Sequence, residues 1–242
     1  MKMQADALFM RTVIEEYVAQ YPKFTNSRMR EHQSNMNILH EDEWLMVVRK
    51  PAGLMVEPDR NNHVNLLQLV KKYLGQRDAY AQHIHRLDRP VDGIVLFAKQ
   101  RSVLQNLSEQ FAQRQVVKRY RAYTVDAPAQ RTGELVHWHR KEKKRAVLYE
   151  QEVEYSELAS LAYTIEEITP SRYCWSITLN TGKYHQIRAQ LAHIGCPIVG
   201  DATYGSAHPY REHAIALQAY QLIFRHPLSG QTIDIQIPPL SL

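Results

Sequence analysis

The chain has little cysteine: Cys174 and Cys196 are the only two in 242 residues. Two thiols make neither a disulfide framework nor a four-thiolate zinc site. They read as reduced thiols in a cytoplasmic protein. Long apolar runs are also missing. No stretch approaches the ~20 residues that span a bilayer, so no membrane association is expected. The opening segment MKMQADALFMRTVIEEY sets acids inside its apolar stretch and offers no small-residue cleavage site. That argues against a secretory signal. Strong charge of one sign is absent as well. Lys and Arg total 30 against 25 Asp and Glu, a formal +5, and apolar residues make up 44%. This balance excludes a disordered tail protein. A chain of this length buries roughly 70–75% of its unfolded surface, enough for one large domain with or without a small extension.

The charge is informative where it is local. Residues 114–121 carry four basic side chains and no acid, and residues 140–145 carry five and one acid. Stretches of this kind suit phosphate neutralisation, although solvated basic loops look the same. Acids gather at Glu150, Glu152, Glu154 and Glu157, an alternation that fits the solvent face of a strand.

Periodicity sets the organisation. Met10, Val13, Ile14, Tyr17, Val18 and Tyr21 follow helical spacing over 7–21, and Pro22 stops that helix. With the polar stretch after it, this predicts a helical extension and linker over 1–36, ahead of a body over 37–242. The body opens on a predicted hairpin, Ile38 to Val48. A short helix follows over Leu66–Leu74, then an apolar strand over Ile94–Ala98. Ser102 is placed to cap the next helix. Strands are expected over 119–125, 146–155, 159–168, 172–179, about 215–224 and 232–237, with a helix over 185–194. Helices scattered among strands joined by short turns predict an α+β fold with a largely antiparallel sheet.

Four constellations carry candidate chemistry. In His83-Ile84-His85-Arg86-Leu87-Asp88-Arg89-Pro90, Asp88 lies between two arginines on a loop just before the apolar strand. A nearby guanidinium keeps a carboxylate charged, fit to act as nucleophile, base or metal ligand. The same residues make a structural Arg–Asp turn equally well. Thr181-Gly182-Lys183-Tyr184-His185-Gln186-Ile187-Arg188 is a turn into a helix whose first residues are rich in donors, suited to a phosphate or carboxylate. Lys118-Arg119-Tyr120-Arg121 sets an aromatic among cations at a strand start, as stacking on a base requires. Lys50-Pro51-Ala52-Gly53 and Gly200-Asp201-Ala202-Thr203-Tyr204-Gly205 read as tight turns, with Lys50 a candidate phosphate contact.

In this order the four resemble the pseudouridine synthases of the RluA type, from about Ile38 to Pro238. The strongest parts are His85-Arg86-Leu87-Asp88, continuing through Gly93 to Lys99, and Thr181 through Arg188. The resemblance implies a catalytic domain with a long mixed, mostly antiparallel sheet, flanked by helices and crossed by a central cleft. It implies isomerisation of specific uridines in structured RNA, ribosomal or transfer, with the target nucleotide flipped out. Asp88 matches the essential aspartate. Tyr120 matches the tyrosine that stacks on the uracil and can take part in proton transfer. Arg188 matches the partner of the aspartate, and Arg86 the residue that fills the gap in the stack. Beside these, His85, Lys50, Lys118, Arg119, Lys183, His185 and Gln186 are candidate substrate or RNA contacts. No metal and no organic cofactor is expected, and a monomer is the default.

The chain departs from the family pattern at Val91-Asp92, where Thr-Ser is usual, at Lys183, where Arg is commoner, and at Gln218, where His is frequent. Asp92 adds a negative charge four residues from Asp88, close enough to disturb the loop. Two other functions stay open. One is a catalytically idle RNA-binding or RNA-folding protein on the same scaffold. The other is a metal-dependent hydrolase using His83-x-His85-x-x-Asp88.

Overall fold

The structure, a computed structural model, describes residues 36–61, 63–75 and 80–240. The expected helix over 7–21 and its linker lie outside these residues. β1 (Asn37–Glu41) and β2 (Leu45–Lys50) form the predicted hairpin. Its turn is tied by Asp42, whose Oδ1 accepts from the Trp44 and Leu45 amides at 2.7 and 2.9 Å. α1 (Leu66–Tyr73) starts at Asn65, whose side chain accepts from Gln68 N–H, a helix N-cap bond. β3 (Gln82–His83) is a two-residue strand, and β4 (Asp92–Ala98) is buried on both faces. α2 (Arg101–Ala112) begins two residues earlier than a cap at Ser102 predicts. The extended Gln100 is its cap residue, and it makes no side-chain cap bond. Next come β5 (Val117–Thr124), β6 (Thr132–Glu142), β7 (Arg145–Tyr149), β8 (Glu157–Thr169) and β9 (Arg172–Leu179). α3 (Gln186–His193), a short 3-10 turn at Ala202–Tyr204, β10 (Leu217–Arg225) and β11 (Thr232–Gln236) complete the order.

Two further expectations fail. β6 covers residues 132–142, where the sequence predicts no strand. Its inward positions are Leu135, His137 and His139, so histidines stand where apolar residues would mark a strand. The second failure is the acidic stretch. β7 ends at Tyr149, and residues 150–156 form bends and turns rather than strand. The Glu alternation there has no sheet face behind it.

Among the described residues eleven strands form one sheet, nine of them in the order β1-β2-β4-β10-β5-β9-β8-β6-β7, with β3 paired to β4 and β11 to β10. Every pairing is antiparallel except β4 with β10. β10 is the joint. It pairs along one edge with β5, and its other edge is shared by β4 at Gln218–Ala219 and β11 at Gln221–Arg225. One apolar cluster, with Val95, Phe97, Trp175 and Leu191, packs on one face. The other, with Leu96, Leu107, Leu222 and Phe224, packs beneath α2. The two cysteines are free, and burial pushes the Cys196 thiol up to about 11.

The β4–β10 contact depends on Gly93. Its φ is +145°, and a Cβ there would lie 2.6 Å from Ala219 N, Cβ and O. Gly93→Ala should therefore cost more than about 1 kcal/mol, read as a lower urea midpoint. An unchanged midpoint would refute this account.

Candidate active site

Asp88 occupies a turn pinned from several sides. The Val91 amide donates to the Asp88 carbonyl at 3.1 Å. The Arg89 carbonyl accepts from Gly53 N–H at 2.8 Å and from Lys50 Nζ at 3.1 Å. Ile215 N–H donates to the Pro90 carbonyl at 3.1 Å. Leu87 and Val91 are buried on either side, while the Asp88 side chain stays 25% exposed. A loop held by backbone bonds and two apolar anchors presents one carboxylate at fixed geometry.

α3 delivers the partner. It runs through the core, with every residue from Gln186 to Leu191 buried. Gln186 fastens its entry: Oε1 accepts from Thr181 Oγ1 and Lys183 N–H, and Nε2 donates to the Ser160 carbonyl. Arg188 then reaches two carboxylates. Nε and Nη2 donate to Asp201 at 2.7 and 2.9 Å, and Nη1 donates to Asp88 Oδ2 at 3.1 Å. Arg188 is 5% exposed and Asp201 1%. Burial works against the guanidinium charge, but the bonds and charge of Asp201 and Asp88 outweigh it and push its pKa above the ordinary value. Asp201 is thus the second partner of Arg188, and in the sequence its Gly200-Asp201 turn is the only local signal, one that a tight turn explains equally well.

His185 precedes this helix in a left-handed conformation, φ +53°. Its Nε2 lies 3.6 Å from Asp88 Oδ2, and its ring stacks on Tyr184 with centroids 3.8 Å apart. Tyr120 comes from β5. Register places it beside Ala219, which pairs with Gly93, so Tyr120 lies two strands from the start of β4. Burial, then the Asp88 charge, push its phenol well above the usual range. Lys118 shares the Tyr120 face by alternation, and its Nζ lies against the Gly182 turn. Asp88, Tyr120, Arg188 and His185 thus converge, while Lys118 lies by Phe111 and the Gly182 turn.

Other candidates do not join them. Lys50 is fully buried and donates to the carbonyls of Pro51, Leu54 and Arg89, at 3.0, 2.7 and 3.1 Å. It pins the Asp88 loop from below rather than facing a phosphate. His85 accepts from Leu96 N–H at 3.3 Å and stacks on Phe111 of α2, so it belongs to scaffold. Arg119 points to the face opposite Tyr120 and donates to Gln221 at 2.9 Å. Gln186 is consumed by the turn it caps. Arg86 and Lys183 are outward, in ion pairs with Glu57 and Glu157. Exposed pairs of this kind contribute little, ~0–1 kcal/mol.

The departures at 92 and 218 meet each other. Gln218 Nε2 donates to Asp92 Oδ1 at 2.9 Å, and Arg49 lies 3.1 Å from the same carboxylate. The added charge is neutralised by Arg49 and does not disturb the Asp88 turn.

Lys50 makes a stability prediction. Burial pushes its pKa down to about 7, with Asp92 and Asp88 pulling up and Arg89 pushing down. The folded value lies below the unfolded one, so between about pH 7 and 10.5 the unfolded chain binds more protons. Stability from this group therefore rises with pH in that window and is lost as pH falls through 7. Lys50→Met should remove that slope. It should also cost roughly 2 kcal/mol or more, because the Pro51 and Leu54 carbonyls lose their donor while the Arg89 carbonyl keeps only Gly53 N–H. Urea melts of both proteins at pH 7 and 10 read both effects, and parallel pH responses would refute the first.

The His83-x-His85-x-x-Asp88 metal reading does not assemble, because His83 faces Glu57, His85 faces Leu96, and Asp88 faces Arg188. Among the described residues one other group, His137, Glu150 and His193, brings ligand atoms within 4.8 Å of one another. There Gln190 Nε2 lies 3.1 Å from His137 Nδ1. A metal on the other ring nitrogen puts a proton on Nδ1, against that amide.

The profile described as RNA pseudouridylate synthase matches residues 44–193. A tRNA pseudouridine synthase C from Pasteurella multocida is 32% identical over 226 residues, 83% of this chain and 90% of that one. A ribosomal large subunit pseudouridine synthase C from Buchnera aphidicola is 28% identical over 227 residues, 86% of this chain and 69% of that one. The solved structure of human RNA pseudouridylate synthase domain containing 4 shares the fold, with a TM-score of 0.68 at 23% identity, over 84% of this chain and 88% of that one. The chain belongs to the RNA pseudouridylate synthase family and is an enzyme that isomerises uridine to pseudouridine in RNA.

Proposed function

We propose that the substrate is a transfer RNA, that Asp88 is the nucleophile, and that the body over 37–242 is the catalytic domain. The observation that carries the site is the Asp88–Arg188 contact of 3.1 Å beside Tyr120. The reaction breaks the bond from C1′ to N1, turns the base, and joins C1′ to C5. N1 gains a proton and the C5 proton is released. A carboxylate starts this only if it stays charged in a partly buried cleft, and Arg188 supplies the neutralising partner. Both side-chain contacts of Asp88 fall on Oδ2. Among the described residues no donor reaches Oδ1, which makes Oδ1 the attacking atom.

Tyr120 stacks on the detached uracil. Its phenol holds its proton firmly, so it donates a hydrogen bond, and this weakens the case for it as the base at C5. Arg86 leaves Glu57 to occupy the place of the flipped nucleotide, offsetting a few kcal/mol of unstacking. Lys118, Lys183 and the 140–145 hairpin hold the backbone phosphates.

Transfer RNA is favoured over ribosomal RNA because the chain spans nearly the whole of the relative named for tRNA. Mapping pseudouridine in cells with and without the gene tests this. Loss of a tRNA pseudouridine is expected, and loss confined to ribosomal RNA overturns the assignment.

A further inference from the structure

We infer that Tyr204 and His185 are positioning residues for Asp88, linked in a hydrogen-bond relay that begins on the β6–β7 hairpin. The inference rests on Asp88 being the reacting group. For a neutral ring facing the Asp88 carboxylate, donor and acceptor roles admit one arrangement. Ala146 N–H, at the start of β7, donates to the Tyr204 hydroxyl oxygen at 2.8 Å. That oxygen lies 3.1 Å from His185 Nδ1. The other ring nitrogen faces Asp88 Oδ2. A carboxylate only accepts, so a neutral imidazole places its proton on Nε2. Nδ1 is then an acceptor and takes the Tyr204 hydroxyl proton. The chain runs from Ala146 N–H through Tyr204 O–H and the imidazole to Asp88.

The imidazole is neutral at working pH. Burial pushes it down to about 4, Asp88 and Asp201 pull it up, and Arg188 and Lys141 push it down. At 3.6 Å the last link is an N–H dipole facing a carboxylate rather than a full hydrogen bond. Contacts of this kind tighten when substrate is in place.

The hairpin holds the ring from its stacked side too. Tyr184 lies against His185, donates from its hydroxyl to the Lys144 carbonyl at 3.2 Å, and accepts at its own carbonyl from His139 Nε2 at 2.8 Å. Lys141 covers the Tyr184 ring at 4.5 Å, and Arg145 covers Tyr204 at 5.3 Å. The left-handed backbone of His185 is strained for a residue with a Cβ and persists because these contacts over-determine it. A hairpin with five cations at 140–145 is thereby connected to the carboxylate that reacts.

Single-turnover tritium release from RNA labelled at uridine C5, with RNA affinity measured in parallel, tests the relay. Tyr204→Phe should slow release about tenfold and leave affinity within about twofold. His185→Ala should slow it about 100-fold. His185→Gln, whose amide N–H reaches the Nε2 position, should recover at least about tenfold of that loss. The double variant Y204F/H185A should be no slower than His185→Ala, because both act on one chain. Additive losses without rescue by Gln, or an unchanged Tyr204→Phe rate, overturn the inference. If Tyr204→Phe fails to fold, the rescue by Gln decides. An active Asp88→Asn would sink the nucleophile reading itself. An inactive Asp88→Asn beside unaffected relay variants would sink only the relay.

Discussion

Asp88→Asn should release no detectable tritium from C5-labelled RNA, a fall of at least about 10⁴-fold, while still folding and binding RNA. The substitution is nearly isosteric and removes only the charge. Folding survives because Arg188 keeps its bidentate pair with Asp201, so no buried cation loses all its partners. Backbone bonds, not the carboxylate, hold the turn. Lys50 supports it from below with three carbonyl contacts. The loss is therefore chemical. Activity within tenfold of wild type would remove Asp88 from the mechanism, and a lower melting temperature would show that the carboxylate has a structural share.

Arg188→Ala should have the largest effect on stability. Asp201 is almost wholly buried, and both its oxygens rest on this guanidinium. Removing the cation leaves a buried charge uncompensated, at a cost of about 3–5 kcal/mol. That is a large part of the 5–15 kcal/mol typical of a folded domain. Replacing both partners with apolar residues, as in Arg188→Met with Asp201→Leu, should restore much of the stability. It should not restore activity, because Asp88 still lacks its partner. Urea midpoints and tritium release separate the two effects. A double variant as unstable as the single one would show that this pair supports the fold through more than its charges.

The outline of the fold was legible because it rests on patterns that burial produces. The apolar run at 94–98 could only be a buried strand, and the charged string before it had to be a loop. The Thr181-Gly182 turn announced α3. β6 was hidden because its inward positions carry histidine, which forms hydrogen bonds to Gln190 and the Tyr184 carbonyl instead of lending hydrophobicity. Lys50 misled for a related reason. A lysine in a glycine turn suggests phosphate, and nothing local shows that three carbonyls converge on it. Asp201 was missed because its role exists only through Arg188, which reaches it from a separate helix. The Asp92–Gln218 contact spans 126 positions. It turned two apparent departures into one arrangement that neither residue predicts alone.

The position of β10 has a consequence for how the enzyme comes into being. β4 and β5 follow one another in the chain, yet they do not pair. β10 lies between them. Until residues 217–225 have left the ribosome, the sheet is two separate pieces, with Asp88 beside one and Tyr120 in the other. Contacts of such long sequence separation form late and slowly. A chain that stops before β10 should therefore lose the juxtaposition of Asp88 with Tyr120 even though it keeps Asp88, Tyr120 and Arg188.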